Sequence, residues 1–279
     1  MNFFTPEARL FKPWSSSKLS TLDCGLRFEW QYSQKIREYE IPEELETKIN
    51  DDASKFGSGM HKALELRALG ASVDDALERA IILEKLVTSQ GEELRTYRHS
   101  LTIFETKLNK FKKTYGILEK DDFPEIELGA SAALTPADYN DTGTYLRGKL
   151  DRLLLTPDGR VAILIDYKTG KSATLKYAEE QLDFYATLIL ANFPNVRTIR
   201  SGLYFTRISE MIWAPKVVRD SYLMGENNST VMRINQAISS FYAAEEPTIN
   251  ITSLCKWCIY KEMCKVERRA RRKRERLNK

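Results

Sequence analysis

The sequence contains no apolar run of membrane-spanning length, no internal repeat and no long low-complexity linker. A transmembrane helix and a solenoid array are therefore not expected. Its opening residues, MNFFTPEARLFKPW, lack the basic-then-apolar layout of a secretory signal, which points to an intracellular protein without a membrane partner. No Walker A loop is present, so a P-loop nucleotide-driven motor is not expected. Histidine is scarce, with only His61 and His99, and there are four cysteines: Cys24, Cys255, Cys258 and Cys264. In a reducing compartment those thiols serve metal binding, catalysis or core packing rather than disulfides.

What remains is an ordinary globular composition, 42% hydrophobic and 29% charged over 279 residues, enough for one large domain or two small ones. The net charge of +4 hides an uneven distribution. Residues 265–279 carry nine Lys/Arg against two Asp/Glu, which leaves the rest of the chain at −3. A slightly acidic body with carboxylates for metal thus ends in a basic segment suited to phosphate.

Hydrophobic periodicity and breakers predict helices over Ser17 to Tyr32, Ser54 to Leu69, Asp74 to Leu86 and about Glu92 to Lys113, punctuated by Gly70 and Ser89-Gln90-Gly91. The character changes at Pro124. Residues 125–134, 144–155 and 160–168 read as strands, with Thr156-Pro157-Asp158-Gly159 as the turn between the last two. An amphipathic helix over 176–192, strands near 198–207 and 211–218 and a helix over about 221–243 complete an α/β architecture. The expected parts are a helical N-terminal lobe over 1–120, a mixed-sheet core over 121–250, and a cysteine-cluster segment with the basic tail over 251–279.

The chemistry concentrates in Gly148-Lys149-Leu150-Asp151-Arg152 and Ile165-Asp166-Tyr167-Lys168-Thr169-Gly170. Side chains alternate along a strand, so Asp166 and Lys168 share a face. A two-residue Asp-Gly loop would set Asp151 directly opposite Asp166, whereas a longer bulged turn at Pro157 would shift the register by one. Two adjacent carboxylates repel unless a cation joins them, and a hard divalent ion takes oxygen ligands while keeping water and substrate phosphate in its shell. Lys168 beside such an ion would orient an attacking water or offset charge on the phosphorane. The plain alternative is a solvated strand end, with Asp151 paired to Arg147 or Arg152. His61, in Phe56-Gly57-Ser58-Gly59-Met60-His61, offers an imidazole as third ligand, while His99 reads as structural or exposed. Glu127 is an extra acid on the preceding strand or merely a surface residue.

The order GKLDR, IDYKTG and QLDFY resembles the PD-(D/E)XK nuclease superfamily, specifically its RecB-like exonuclease branch. That branch includes the nuclease domains of bacterial recombination helicase–nucleases and the small CRISPR-adaptation exonucleases. The resemblance implies a restriction-endonuclease-like core. It puts Asp151 at the first acidic position, Asp166 where many members carry Glu, and Lys168 at the catalytic lysine. It adds the Tyr167 backbone carbonyl as a metal ligand, Gln181 and Tyr185 as the Gln-x-x-x-Tyr helix motif, and His61 as the histidine of an upstream Gly-x-x-x-His segment. Mg²⁺ or Mn²⁺ would be the working ion.

Cys255-x2-Cys258-x5-Cys264 is a compact knuckle able to chelate metal, and Cys24 would complete a four-thiolate site. Zinc is the generic occupant. One early cysteine followed by a late knuckle is similar to the iron–sulfur members of the RecB-like branch, which implies a [4Fe–4S] cluster clasping the chain ends. The implied activity is exonucleolytic hydrolysis of DNA, single-stranded or with frayed ends, in recombination, repair or replication. A helicase or recombination partner and a bacterial, archaeal or phage-encoded cytoplasmic setting go with it. A catalytically silent DNA-binding or assembly subunit and a structure-specific endonuclease are the rivals. Trp14, Phe28, Trp30 and Trp257 are candidate base-stacking surfaces, each also a candidate core residue.

Overall fold

Seven strands form one mixed sheet: β1 (Asp122–Ala130), β2 (Pro136–Ala137), β3 (Leu146–Leu155), β4 (Val161–Lys168), β5 (Thr198–Phe205), β6 (Glu210–Trp213) and β7 (Val217–Val218). The order is β2-β1-β3-β4-β5-β6, with β7 pairing β5. The computed structural model describes residues 1–47, 52–83, 91–176 and 178–277. The last three residues of the helix expected over Asp74 to Leu86, and the punctuating Ser89 and Gln90, lie outside the described residues.

The chain divides into two compact units. The first, Met1–Phe4, Lys12–Ser16 and Asp52–Met232, holds the sheet. Helices α1 (Asp52–Ala68), α2 (Val73–Leu83) and α3 (Gly91–Tyr115) precede the sheet in the chain, and α4 (Glu179–Asn192) crosses from β4 to β5. That crossover is why β4 and β5 run parallel while the other pairs are antiparallel. Phe56, Met60, Leu64, Leu77, Leu101 and Phe104 of the three early helices share a core with Ile163, Ile165, Tyr167 and Tyr204 of the sheet. Each such aliphatic or aromatic burial contributes about 1.5–3 kcal/mol. Helix α4 packs over β1 and β3 and buries Leu182, Phe184, Tyr185 and Leu188.

The β3–β4 hairpin pairs Arg152 with Ile165 and Leu155 with Ala162, the register of the two-residue-loop expectation. The loop itself is longer: Thr156 N–H donates to the Val161 carbonyl, leaving Pro157 to Arg160 outside the ladder. Lengthening a loop by one residue on each side preserves register, so the bulged alternative does not occur. Residues 211–218 are two strands rather than one, since Pro215 interrupts the ladder between β6 and β7. The helix expected from 221 begins at Ser229. Gly225 takes φ +80° before it, and the Asn228 side chain accepts from Val231 N–H.

The second unit comprises Thr5–Phe11, Ser17–Asp51 and Arg233–Lys279. Phe28 is its aromatic hub, meeting Phe11 at 4.9 Å, Phe241 at 5.2 Å and Tyr32 at 5.3 Å between ring centroids. The single helix expected over Ser17 to Tyr32 is broken. Ser16–Thr21 is helical, Cys24 is extended, and Gly25–Phe28 then resumes before a wider turn over Glu29–Ser33. The cause is a close crossing, because a Cβ on Gly25 would stand 2.8 Å from Thr248 Oγ1 and 2.9 Å from Thr248 N. No helix among the described residues is long and apolar enough to cross a membrane.

Candidate metal centre and cysteine cavity

The β1–β3 ladder runs Pro124↔Arg152 and Ile126↔Leu150, and is interrupted between them at Glu125 and Asp151. Glu125 sits at φ +49°, a left-handed conformation that costs a non-glycine residue roughly 1–2 kcal/mol. Such distortions collect at functional sites, where they re-aim side chains. Here the interruption frees two acids from the ladder. One Asp151 oxygen accepts the Tyr167 N–H at 2.6 Å, and the other lies 3.3 Å from His61 Nδ1. His61 comes from α1, and its Nε2 lies 3.1 Å from the Tyr167 carbonyl.

One ligand atom from each of His61, Glu125 and Asp151 falls within a mutual 4.8 Å. Among the described residues this is the one group of three or more His, Cys, Asp or Glu side chains drawn that close. Glu125 was not foreseen. Glu127, the acid singled out instead, is exposed and pairs in register with Lys149. The available signal was position: Glu125 stands two residues earlier on the same strand, across from Asp151. Lys149 Nζ reaches Glu125 at 2.9 Å.

Asp166 is almost fully buried at the end of β4, and Lys168 Nζ approaches its Oδ2 at 2.7 Å. That oxygen nevertheless has no well-aligned hydrogen-bond donor. Burial, then repulsion from Asp151, pushes the Asp166 carboxyl up to about 6 against the pull of Lys168. Burial also raises the Glu125 carboxyl, opposed by Lys149 and reinforced by Asp151. For His61, burial works against the charge, but the Asp151 hydrogen bond and the surrounding carboxylates outweigh it and raise the imidazole pKa. These acids are destabilised as neighbours and share a histidine, a donor set suited to a divalent cation.

Lys168 Nζ also donates to Gln181 Oε1 at 2.7 Å, and Gln181 Nε2 donates to the Tyr185 hydroxyl at 3.0 Å. The i,i+4 spacing on α4 places both side chains on the strand end. Gly148 makes room, for a Cβ there would stand 2.8 Å from Leu188 Cδ1 and 3.0 Å from the Tyr185 ring. Asp166, Lys168, Gln181 and Tyr185 thus form one chain of polar contacts, and His61, Asp151 and the Tyr167 backbone form another, the two meeting at consecutive residues of β4. His99 is exposed on α3 and takes no part.

In the second unit Cys24, Cys255, Cys258 and Cys264 all line one cavity of about 250 Å³. Cys24 Sγ lies 3.9 Å from the Thr248 carbonyl, and Cys255 Sγ accepts from Thr252 N–H at 3.4 Å. Arg27, Lys261, Lys265 and Arg268 line the same space. Burial raises the thiol pKa of Cys258 and Cys264, while Arg27 and Arg268 pull the other way. Trp14 and Phe28 are fully buried, which removes them as base-stacking surfaces. Trp30 packs on Tyr260 at 5.6 Å between centroids, and Trp257 is exposed.

A family model described as the PD-(D/E)XK nuclease superfamily matches residues 13–265. Twelve solved chains also match. One, titled "Crystal structure of SSO0001", is 13% identical, covers 73% of this chain and 81% of its own, and superposes with a TM-score of 0.33. A search of curated proteins finds no match.

Proposed function

The chain belongs to the PD-(D/E)XK nuclease superfamily, and from that premise we propose that it is a metal-dependent exonuclease hydrolysing phosphodiester bonds at DNA ends, single-stranded ones above all. The observation that carries the metal-dependent part is the gathering of His61, Glu125 and Asp151 beside a buried, partly unsatisfied Asp166. Members of this superfamily use divalent metals. His61, Asp151, Asp166 and the Tyr167 carbonyl, with Glu125 added, would hold Mg²⁺ or Mn²⁺. A divalent ion there supplies Lewis acidity toward phosphate and a lowered pKa for bound water.

The protein's own contribution is orientation and charge. Lys168, tethered by Asp166 and Gln181, presents an ammonium that orients the attacking water and offsets charge on the phosphorane. Gln181 fixes that ammonium and is itself fixed by Tyr185. The exposed cations Arg269, Arg272, Lys273 and Arg276 on helix Lys261–Leu277 make a phosphate-attracting face. Action at ends, in recombination, repair or replication and with a helicase as partner, follows the RecB-like order of the motifs.

Cys24, Cys255, Cys258 and Cys264 are assigned to a [4Fe–4S] cluster. The shared cavity and its basic lining support this, since four thiolates need offsetting charge. Elemental analysis after anaerobic purification separates iron from zinc.

The reading is tested with linear and circular single-stranded DNA in Mg²⁺ or Mn²⁺. An exonuclease degrades the linear strand and spares the circle. Cutting of the circle means an endonuclease, and loss of neither means a silent subunit.

A further inference from the structure

Arg207 follows β5 by two residues, where the parallel ladder has just paired Phe205 with Lys168. The two chain ends continue together past the sheet. Thr206 N–H donates to the Lys168 carbonyl at 2.8 Å, and Arg207 Nε donates to the Thr169 carbonyl at 3.0 Å. The guanidinium carbon lies 3.5 Å from the Phe56 ring centroid, a face-on stack. Phe56 belongs to α1, five residues before the His61 that faces Asp151, and its neighbour Gly57 abuts Thr169. One helix therefore carries both the imidazole of the metal centre and the platform under Arg207.

The half-buried guanidinium is held on one face and at one nitrogen, yet among the described residues neither Nη atom has a hydrogen-bond or ion-pair partner. This contrasts with Arg67, Arg152, Arg271 and Arg274, each paired to a carboxylate. A charge held in a fixed pose and not neutralised by the protein is organised for something outside it. The free edge of a guanidinium matches two oxygens of one phosphate, and fixing it beforehand removes most of the entropy cost of using it.

We propose that Arg207 binds a backbone phosphate flanking the scissile one, with Phe56 as its positioning platform, and so sets which bond reaches Lys168 and the metal centre. This rests on the nuclease reading above. It also makes Arg207 a determinant of register along the strand, separate from the groups that perform hydrolysis.

The test measures binding of a fluorescent linear oligothymidylate in Ca²⁺ across a salt series, with steady-state cleavage in Mg²⁺, for wild type, Arg207→Met and Arg207→Lys. Arg207→Met should lose about 0.7 from the log–log salt slope, one single-strand phosphate's worth. Its KM should rise roughly tenfold while kcat changes far less. Arg207→Lys should keep the slope, because the charge remains, but lose affinity with the fork. An unchanged slope and KM in Arg207→Met would overturn the proposal. So would equal losses in both variants with an equal fall in melting temperature, which marks a structural staple. Wild-type protein that neither binds nor cuts the strand instead defeats the nuclease reading itself.

Discussion

The ligand atoms of His61, Glu125 and Asp151 stand within 4.8 Å of one another on a strand pair and a 17-residue helix. The four cysteines line a cavity built from segments distant in sequence: short helices and loops around Cys24 and Cys255, and the helix Lys261–Leu277 that carries Cys264. In the first region the sheet does the organising, and its acids stay together although burial and mutual repulsion oppose it. Backbone pairing and an apolar core offset that strain. In the second, few backbone ladders hold the segments. Contacts such as Leu26 N–H to the Thr248 carbonyl at 2.9 Å and Tyr260 hydroxyl to the Ile36 carbonyl at 2.6 Å carry the connection. Bound metal there would contribute directly to folding. Removing a side chain should accordingly cost activity in one region and stability in the other.

The largest expected effect is on cleavage. Asp151→Ala, Asp166→Ala and Lys168→Ala should each lower the cleavage rate roughly a thousandfold or more, with DNA binding and circular dichroism largely retained. Near-normal turnover in both Mg²⁺ and Mn²⁺ removes that residue from the centre. Next comes Cys24→Ser, which should lose most bound metal and on the order of 4 kcal/mol of stability, read as a melting temperature lower by roughly 10 °C. Full metal content with an unchanged melt would mean that Cys24 is an ordinary half-buried cysteine and the contrast fails.

A smaller effect tests the strain directly. The folded Asp166 carboxyl titrates at about 6, above its unfolded value of about 4. Below both values the group is protonated in either state and costs nothing. As pH rises through this window the unfolded chain ionises first, so metal-free protein loses stability and carries the full penalty at neutral pH. Asp166→Asn should therefore stabilise metal-free protein at pH 7 by on the order of 2 kcal/mol, read as a higher melting temperature, and by little at pH 4. A variant no more stable than wild type at pH 7 would show that the ion pair with Lys168 outweighs burial.

How far the sequence revealed this contrast depends on what each feature requires. The hairpin register was legible because strand period and turn residues are local, and a symmetric lengthening of the loop leaves pairing intact. That Asp166 and Lys168 meet on one strand face was legible for the same reason. Glu125 was not, because its left-handed backbone at the ladder's interruption leaves no mark in composition. The break at Cys24 was hidden too, since it is imposed by Thr248, more than two hundred residues away, crossing against Gly25. Trp14 and Phe28 could be read as surface or core from their residue type alone, and packing decided for the core.

The measurement closest to the central claim is a metal-removal assay on an end-labelled linear single strand. Protein treated with a chelator of divalent ions and exchanged into metal-free buffer should be inactive yet keep its melting temperature. Adding Mn²⁺ should restore cleavage to wild type but not to Asp151→Ala. Full-rate cleavage by the chelated protein, or restoration of Asp151→Ala, would contradict the assignment of this strand-borne centre.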